Sequence, residues 1–191
     1  MRLFAAIDLD DAARRFSLEI MAQLERAGVA ARFEPPEKLH LTVAFLGQVS
    51  PDLFGDVTAA AATAAARTVP FSLTLDRIGA FPNLRRARAV WIGSSRPSPG
   101  YAQCASAVRL ELVRLGWSFE DESIAHVTVA RAKTPLRDIP AIAMPMPVEL
   151  QVEALHLYES VPAGRTTRYI DLATFPLTAP NPNNRNVVPR L

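Results

Sequence analysis

His40-Leu41-Thr42-Val43 and His126-Val127-Thr128-Val129 are two copies of one pattern, in a chain of 191 residues that holds only three histidines. In a strand, residues two apart project from the same face. Each segment therefore sets an imidazole beside a hydroxyl and turns its aliphatic residues toward a core. Two such strands facing across a cleft present two imidazoles and two hydroxyls to one small anion. A lone strand histidine beside a threonine is ordinarily structural, and duplication is what reverses that reading. His156 has no such partner motif and reads as structural, on the same face as Tyr158.

The pair suits acid–base chemistry at phosphorus. A phosphodiester closed into a ring needs an incoming water deprotonated on one side and a leaving oxygen protonated on the other, roughly in line. Imidazole titrates near neutrality, so one ring can accept while the other donates if their surroundings hold the two titrations apart. Threonine hydroxyls can donate to the non-bridging oxygens. This scheme needs no metal and no cofactor, and the symmetry of the repeat does not say which histidine is the acid.

Outward from these segments, Leu3 to Leu9 reads as a buried strand. Asp10 or Asp11 then caps a helix with Phe16, Ile20 and Leu24 on one face, and Gly28 ends it. Ala31 to Gly47 is extended, broken at Pro35 and Pro36, with its strand from His40 to Leu46. Ser50 and Pro51 start a second helix with a Leu53, Val57, Ala61 stripe. Phe71 to Ile78 and Arg88 to Ile92 read as neighbouring antiparallel strands across a turn containing Gly79, Pro82 and Asn83. Ser98 and Pro99 open a third helix that runs to Gly116. Tyr101, Cys104, Val108, Leu112 and Leu115 recur along it at helical spacing, which places the lone cysteine in the core. Ala125 to Ala130 is a short strand, and Val148 to Tyr158 with Thr167 to Leu172 make a hairpin. These elements predict an α+β fold with antiparallel sheets. Residues 1–176 form one domain and 177–191 a proline- and asparagine-rich tail.

Half of the residues are hydrophobic (49%), enough for a real core. No apolar run reaches the ~20 residues of a membrane span, and the start lacks the features of a signal peptide. The expectation is a soluble, cytoplasmic protein without a membrane partner or an obligate protein partner, acting as a monomer. A single cysteine excludes an intramolecular disulfide and a cysteine-built zinc site. Net charge is +2, and only Lys38 and Lys133 are lysines, so the positive charge is nearly all arginine, whose fork suits phosphate. Arg85, Arg86 and Arg88 lie close together and read equally as an RNA track or a solvated cluster.

The paired segments, with the run from His40 through Phe45 to Gly47, resemble the two-histidine phosphoesterases, and most closely their RNA 2′,3′-cyclic phosphodiesterase branch, also called 2′-5′ RNA ligases. The likeness extends to Arg2–Asp8, Pro70–Asp76, Gly79–Pro82, Ala87–Gly93 and Leu157–Ser160, and to Gly164 and Tyr169. It implies a bilobal α+β fold, two antiparallel sheets with pseudo-two-fold symmetry around a central cleft and helices outside. It also implies His40 as proton donor, His126 as acceptor, and Thr42 and Thr128 as phosphate-binding groups. Arg131 matches a substrate-contacting arginine, and Phe4 an aromatic that could stack on a base. Strict alternation puts Arg131 on the face opposite His126, so its role requires the strand to end or bulge. The implied reaction converts a 2′,3′-cyclic phosphate at an RNA end to a 2′-phosphate, with 2′-5′ ligation as its reverse. Competing readings are a phosphodiesterase acting on a small cyclic nucleotide such as ADP-ribose cyclic phosphate, a non-catalytic RNA-binding module, and a metal hydrolase. The last lacks any H-E-x-x-H spacing, and adenylated-lysine ligation lacks a P-loop pattern.

Overall fold

The computed structural model describes residues 1–119, 124–164 and 166–178. Strand β1 (Arg2–Asp8) leads into helix α1 (Asp11–Arg26), and Asp10 caps that helix by accepting the Ala13 N–H at 2.8 Å. Phe16, Ile20 and Leu24 are buried along one side of it. A two-residue strand β2 (Arg32–Phe33) precedes β3 (His40–Gln48) and helix α2 (Phe54–Ala66). Strands β4 (Phe71–Leu75), β5 (Arg77–Phe81) and β6 (Ala87–Gly93) follow, then helix α3 (Pro99–Arg114). The chain continues through β7 (His126–Leu136), β8 (Val148–Val152), β9 (Ala154–Ala163) and β10 (Thr166–Pro176).

All pairings are antiparallel. An eight-stranded sheet runs β10-β9-β1-β3-β7-β6-β5, with β2 added beside β7, and β4 and β8 form a separate two-stranded sheet. The fold is thus α+β with two antiparallel sheets, as expected. The large sheet divides into two lobes that meet at β3 and β7, where the only registered pair is Leu41 opposite Val127. Each of these residues directly follows a motif histidine, so a pseudo-dyad passes through the pair. Beyond it the strands splay, and β2 fills the wedge against Ala130 and Arg131.

Several local expectations are corrected. Phe71 to Ile78 is not one strand: it divides at Asp76, which accepts from the Ser95 N–H and hydroxyl, both at 2.6 Å, sending β4 to β8 and β5 to β6. The apolar alternation holds from Phe71 to Leu75 and slips at the polar pair Asp76-Arg77, and the clamp on Ser95 sets the break there. Gly79 lies inside β5 rather than in the turn, because a Cβ there would sit 2.1 Å from the Trp91 ring. Val148 to Tyr158 likewise divides into β8 and β9. The strand expected to end at Ala130 continues to Leu136. Ser50 makes no side-chain cap: a 3-10 turn, Pro51–Leu53, intervenes, and its tighter pitch leaves Leu53 exposed while Val57 and Ala61 are buried. Of the expected tail, Leu177 is buried and its N–H donates to the Glu153 carbonyl at 2.7 Å, and Thr178 donates to the Ala66 carbonyl at 3.0 Å; positions 179–191 lie outside the described residues.

Helix α3 packs behind β3. The hydroxyl of Tyr101, buried in that interface, donates to the Thr42 carbonyl at 2.9 Å, and Trp117 Nε1 donates to the Leu46 carbonyl at 2.9 Å. Glu111 ties α3 to α2 through Arg67 at 2.6 Å. Cys104 is core, and burial pushes its thiol up to about 11. Tyr101→Phe would leave the Thr42 carbonyl without this donor in a dry site, so a loss of about 1–3 kcal/mol is expected in urea or thermal unfolding; an unchanged midpoint would show that the bond contributes nothing to the strand's placement.

Candidate active site

His40, Thr42, His126 and Thr128 line one cleft of about 570 Å³. The two segments bury their residues in the same order: histidine and threonine half-buried, the residue between them buried, the next two buried, then one exposed. Two consecutive buried residues break strand alternation, and the register shows how. Thr42 stands opposite Ala6 and Ala44 opposite Ala5, while Thr128 stands opposite Trp91 and Ala130 opposite Val90. Each motif strand therefore carries one extra residue, Val43 or Val129, in a β-bulge that returns the residue five after the histidine to the cleft. On β3 that residue is Phe45. On β7 it is Arg131, which lines the cleft through the bulge its role required.

The two rings are held alike. His40 Nδ1 lies 2.6 Å from the Lys38 carbonyl oxygen and His126 Nδ1 lies 2.8 Å from that of Ile124. A carbonyl oxygen only accepts, which assigns the proton to Nδ1 in both rings and leaves Nε2 as the titrating atom. His40 Nε2 is 3.0 Å from Thr42 Oγ1.

Burial pushes both imidazoles below their ordinary value of 6.5. The neighbouring charges differ. For His40 the Lys38 carbonyl and the carboxylates of Asp8 and Glu34 oppose that fall, and His126 adds to it. For His126 the Ile124 carbonyl opposes it and the Arg131 guanidinium adds to it.

The cleft walls are aromatic and cationic. Phe4 is only 3% exposed, stacked on Tyr158 at 5.4 Å with His40 at 5.0 Å and Tyr169 edge-on at 4.9 Å. It backs His40 and lines the cleft, and the more exposed ring there is Phe45, 66% exposed. In the other lobe Phe81 meets His126 edge-on at 4.9 Å. Arg131 Nε donates to Glu34 Oε1 at 3.0 Å, and Arg32 reaches the same oxygen at 3.8 Å. Lys38, almost fully buried, donates to Thr166 Oγ1 at 2.9 Å and lies 5.5 Å from the Tyr169 ring centroid.

Phe45, Phe81, Glu34 and Lys38 are not identified by the repeat alone. Phe45 had a signal, since it stands at the motif position of Arg131, but alternation turned it inward. Outside the cleft lining, His156 Nδ1 pairs with Asp171 at 2.9 Å and its ring stacks on Tyr158. Among the described residues no three His, Cys, Asp or Glu side chains are grouped to hold a metal ion, and no helix is long and apolar enough to cross a membrane.

The family described as LigT-like phosphoesterase matches residues 7–91. The RNA 2′,3′-cyclic phosphodiesterase of Escherichia coli K12 is 34% identical over 93% of this chain and 97% of its own length; that of Archaeoglobus fulgidus is 30% identical over 92% and 99%. The crystal structure of E. coli LigT complexed with 3′-AMP matches with a TM-score of 0.74 at 32% identity, over 93% of this chain and 98% of that one. With its duplicated histidine–threonine strands, the chain belongs to the two-histidine phosphoesterases, in the LigT-like RNA 2′,3′-cyclic phosphodiesterase family.

Proposed function

We propose that this chain hydrolyses a 2′,3′-cyclic phosphate at the end of RNA to a 2′-phosphate, using His40 and His126 and no metal ion. One observation carries the reading: two bulged strands related by a pseudo-dyad bring two Nδ1-anchored imidazoles and two threonine hydroxyls into one cleft. Arg2, Arg32, Lys38 and Arg131 there face the single carboxylate of Glu34, a balance that suits a phosphate. The names of the E. coli and A. fulgidus relatives support the substrate. Every group required stands within one chain, so a monomer is sufficient.

Water attacks phosphorus as neutral His126 Nε2 takes its proton; the bond from phosphorus to the 3′-oxygen breaks, and charged His40 Nε2 gives its proton to that oxygen. The product carries a 2′-phosphate and a free 3′-hydroxyl, and the proton gained by His126 is exchanged with solvent as His40 is recharged. The electrostatics favour this division of roles. Asp8 and Glu34 support a charged His40, whereas Arg131 supports a neutral His126. Thr42 and Thr128 donate to the non-bridging oxygens, Arg131 neutralises them, and Phe45 offers its exposed face to the terminal base. An RNA 5′-hydroxyl attacking the cyclic phosphate in place of water, with the same loss of the 3′-oxygen, would give a 2′-5′ linkage.

The test is turnover, in excess chelator, of a short RNA ending in a 2′,3′-cyclic phosphate, with identification of the product isomer. A 2′-phosphate is expected, with rate losses of about 10²–10⁴-fold for His40→Ala and for His126→Ala. Because the two act as a unit, the double variant should be little worse than the poorer single one. A folded parent that turns over neither RNA nor small cyclic nucleotides would sink the proposal in favour of a binding module.

The pH profile carries a separate expectation. The active ionisation has His40 charged and His126 neutral. Because both rings are held below 6.5 in the free protein, the bell in kcat/KM should have both limbs below that pH and fall by about tenfold per unit above it. Glu34→Gln removes a carboxylate that supports charged His40, so the descending limb should move to lower pH. A profile flat from pH 6.5 to 8.5 would contradict the assignment.

A further inference from the structure

Behind the ring pair that walls the second lobe lies another hollow, of about 440 Å³, at the outer edge of β5. Phe81 lines the catalytic cleft and Trp91 lines this hollow, with their ring centroids 5.5 Å apart. Trp91 is also 6.1 Å from the His126 ring, so the hollow and the catalytic histidine share one aromatic partition. The rim is chemically mixed. Arg77 extends over the Trp91 ring at 5.8 Å, Arg85 stands on the short turn after Asn83, whose side chain accepts the Arg85 N–H at 3.1 Å, and Leu84 is half exposed. Both arginines are exposed, and neither guanidinium pairs with a carboxylate among the described residues.

We propose that this hollow is a second nucleotide subsite, taking the nucleotide that precedes the cyclic-phosphate terminus; the proposal rests on the reading of that terminus as the reacting group. An RNA strand whose end is fixed between His40 and His126 must leave the cleft across one of its walls. The Phe81–Trp91 wall leads, across this pair of rings, to an apolar patch edged by two guanidinium groups that have no carboxylate partner among the described residues. A nucleotide is the ligand with matching chemistry: a flat base for Leu84 and the stem of Arg77, and a phosphodiester for the forks of Arg77 and Arg85. The arginines clustered at this turn thus acquire a direction, outward from the site. A free mononucleotide held in the cleft would leave this subsite empty, which makes the enzyme's preference for chain length the observable.

Two substrates separate the possibilities: a nucleoside 2′,3′-cyclic monophosphate and a pentaribonucleotide ending in the same nucleoside and cyclic phosphate. The parent is expected to favour the pentamer in kcat/KM on the order of tenfold. Arg77→Ala/Arg85→Ala should abolish that advantage through KM, with kcat on the pentamer and all turnover of the monophosphate unchanged. The slope of log kcat/KM against log salt for the pentamer should become shallower by about 1.4, the counterions of two single-strand phosphate contacts. Equal use of the two substrates by the parent, or a double variant impaired equally on both, would overturn the subsite while leaving hydrolysis standing. A parent inactive on both would overturn the hydrolytic reading and the subsite with it.

Discussion

A single ladder contact, Leu41 opposite Val127, fixes where everything else in the cleft can be. Side-chain direction along a strand has a period of two, so once these two fully buried residues face the core, His40, Thr42, His126 and Thr128 must face the other way. A slip of one residue in either strand would bury an imidazole and expose an aliphatic side chain. The hydrophobic demand of the core is thereby converted into catalytic alignment. The bulges complete the arrangement, because they hand the next outward position to Phe45 and Arg131 while burying Val43 with Ala44 and Val129 with Ala130.

The strand that bears the first histidine is also held from behind. Tyr101 and Trp117 each donate from the α3 side to a carbonyl of β3, at Thr42 and at Leu46, on either side of the bulge and its exposed phenylalanine. A bulge interrupts the regular ladder, and buried carbonyls near it need donors from elsewhere. The helix layer supplies these bonds as well as apolar cover. Rigidity at β3 matters because His40 is anchored to the backbone of Lys38 and hydrogen-bonds Thr42 two residues on, so a shift of the strand moves the imidazole and the hydroxyl together.

The repeat, the fold class and the meeting of the two motif histidines in one cleft were legible because they depend on local chemistry and on period. What was not legible depends on partners distant in sequence. The alternation from Phe71 slips at Asp76-Arg77, but what turns the chain there, Ser95 nineteen residues on, and the separate partner strands of the two halves lie far off in sequence. Strict alternation puts Arg131 on the face opposite its histidine, and the bulges that turn Arg131 and Phe45 to the cleft are set by the neighbouring strands' register. Glu34 was silent because its meaning comes from Arg131, ninety-seven residues away. Phe4, read as an aromatic that could stack on a base, lines the cleft as a buried ring behind His40, and the exposed ring there is Phe45.

A dyad gives two equivalent histidines, and the proposed acid–base chemistry needs two inequivalent ones, so it draws on the departures from symmetry. Opposite His40 in the ladder stands Asp8, whose carboxylate favours the charged ring; opposite His126, at the matching place, stands Gly93. That glycine is not an idle difference. A Cβ there would lie 2.8 Å from the Ala125 carbonyl oxygen, so no carboxylate side chain fits beside His126 without moving backbone. The second departure acts in the same direction: Phe45 is neutral where Arg131 is a cation, and the cation disfavours a charged His126. One substitution of the repeat removes a carboxylate from beside His126, the other adds a positive charge there, and both favour a charged His40 over a charged His126. Packing thus excludes the carboxylate that would have made the two rings alike, and the asymmetry on which the proposed division of roles rests is built into the backbone before any substrate arrives.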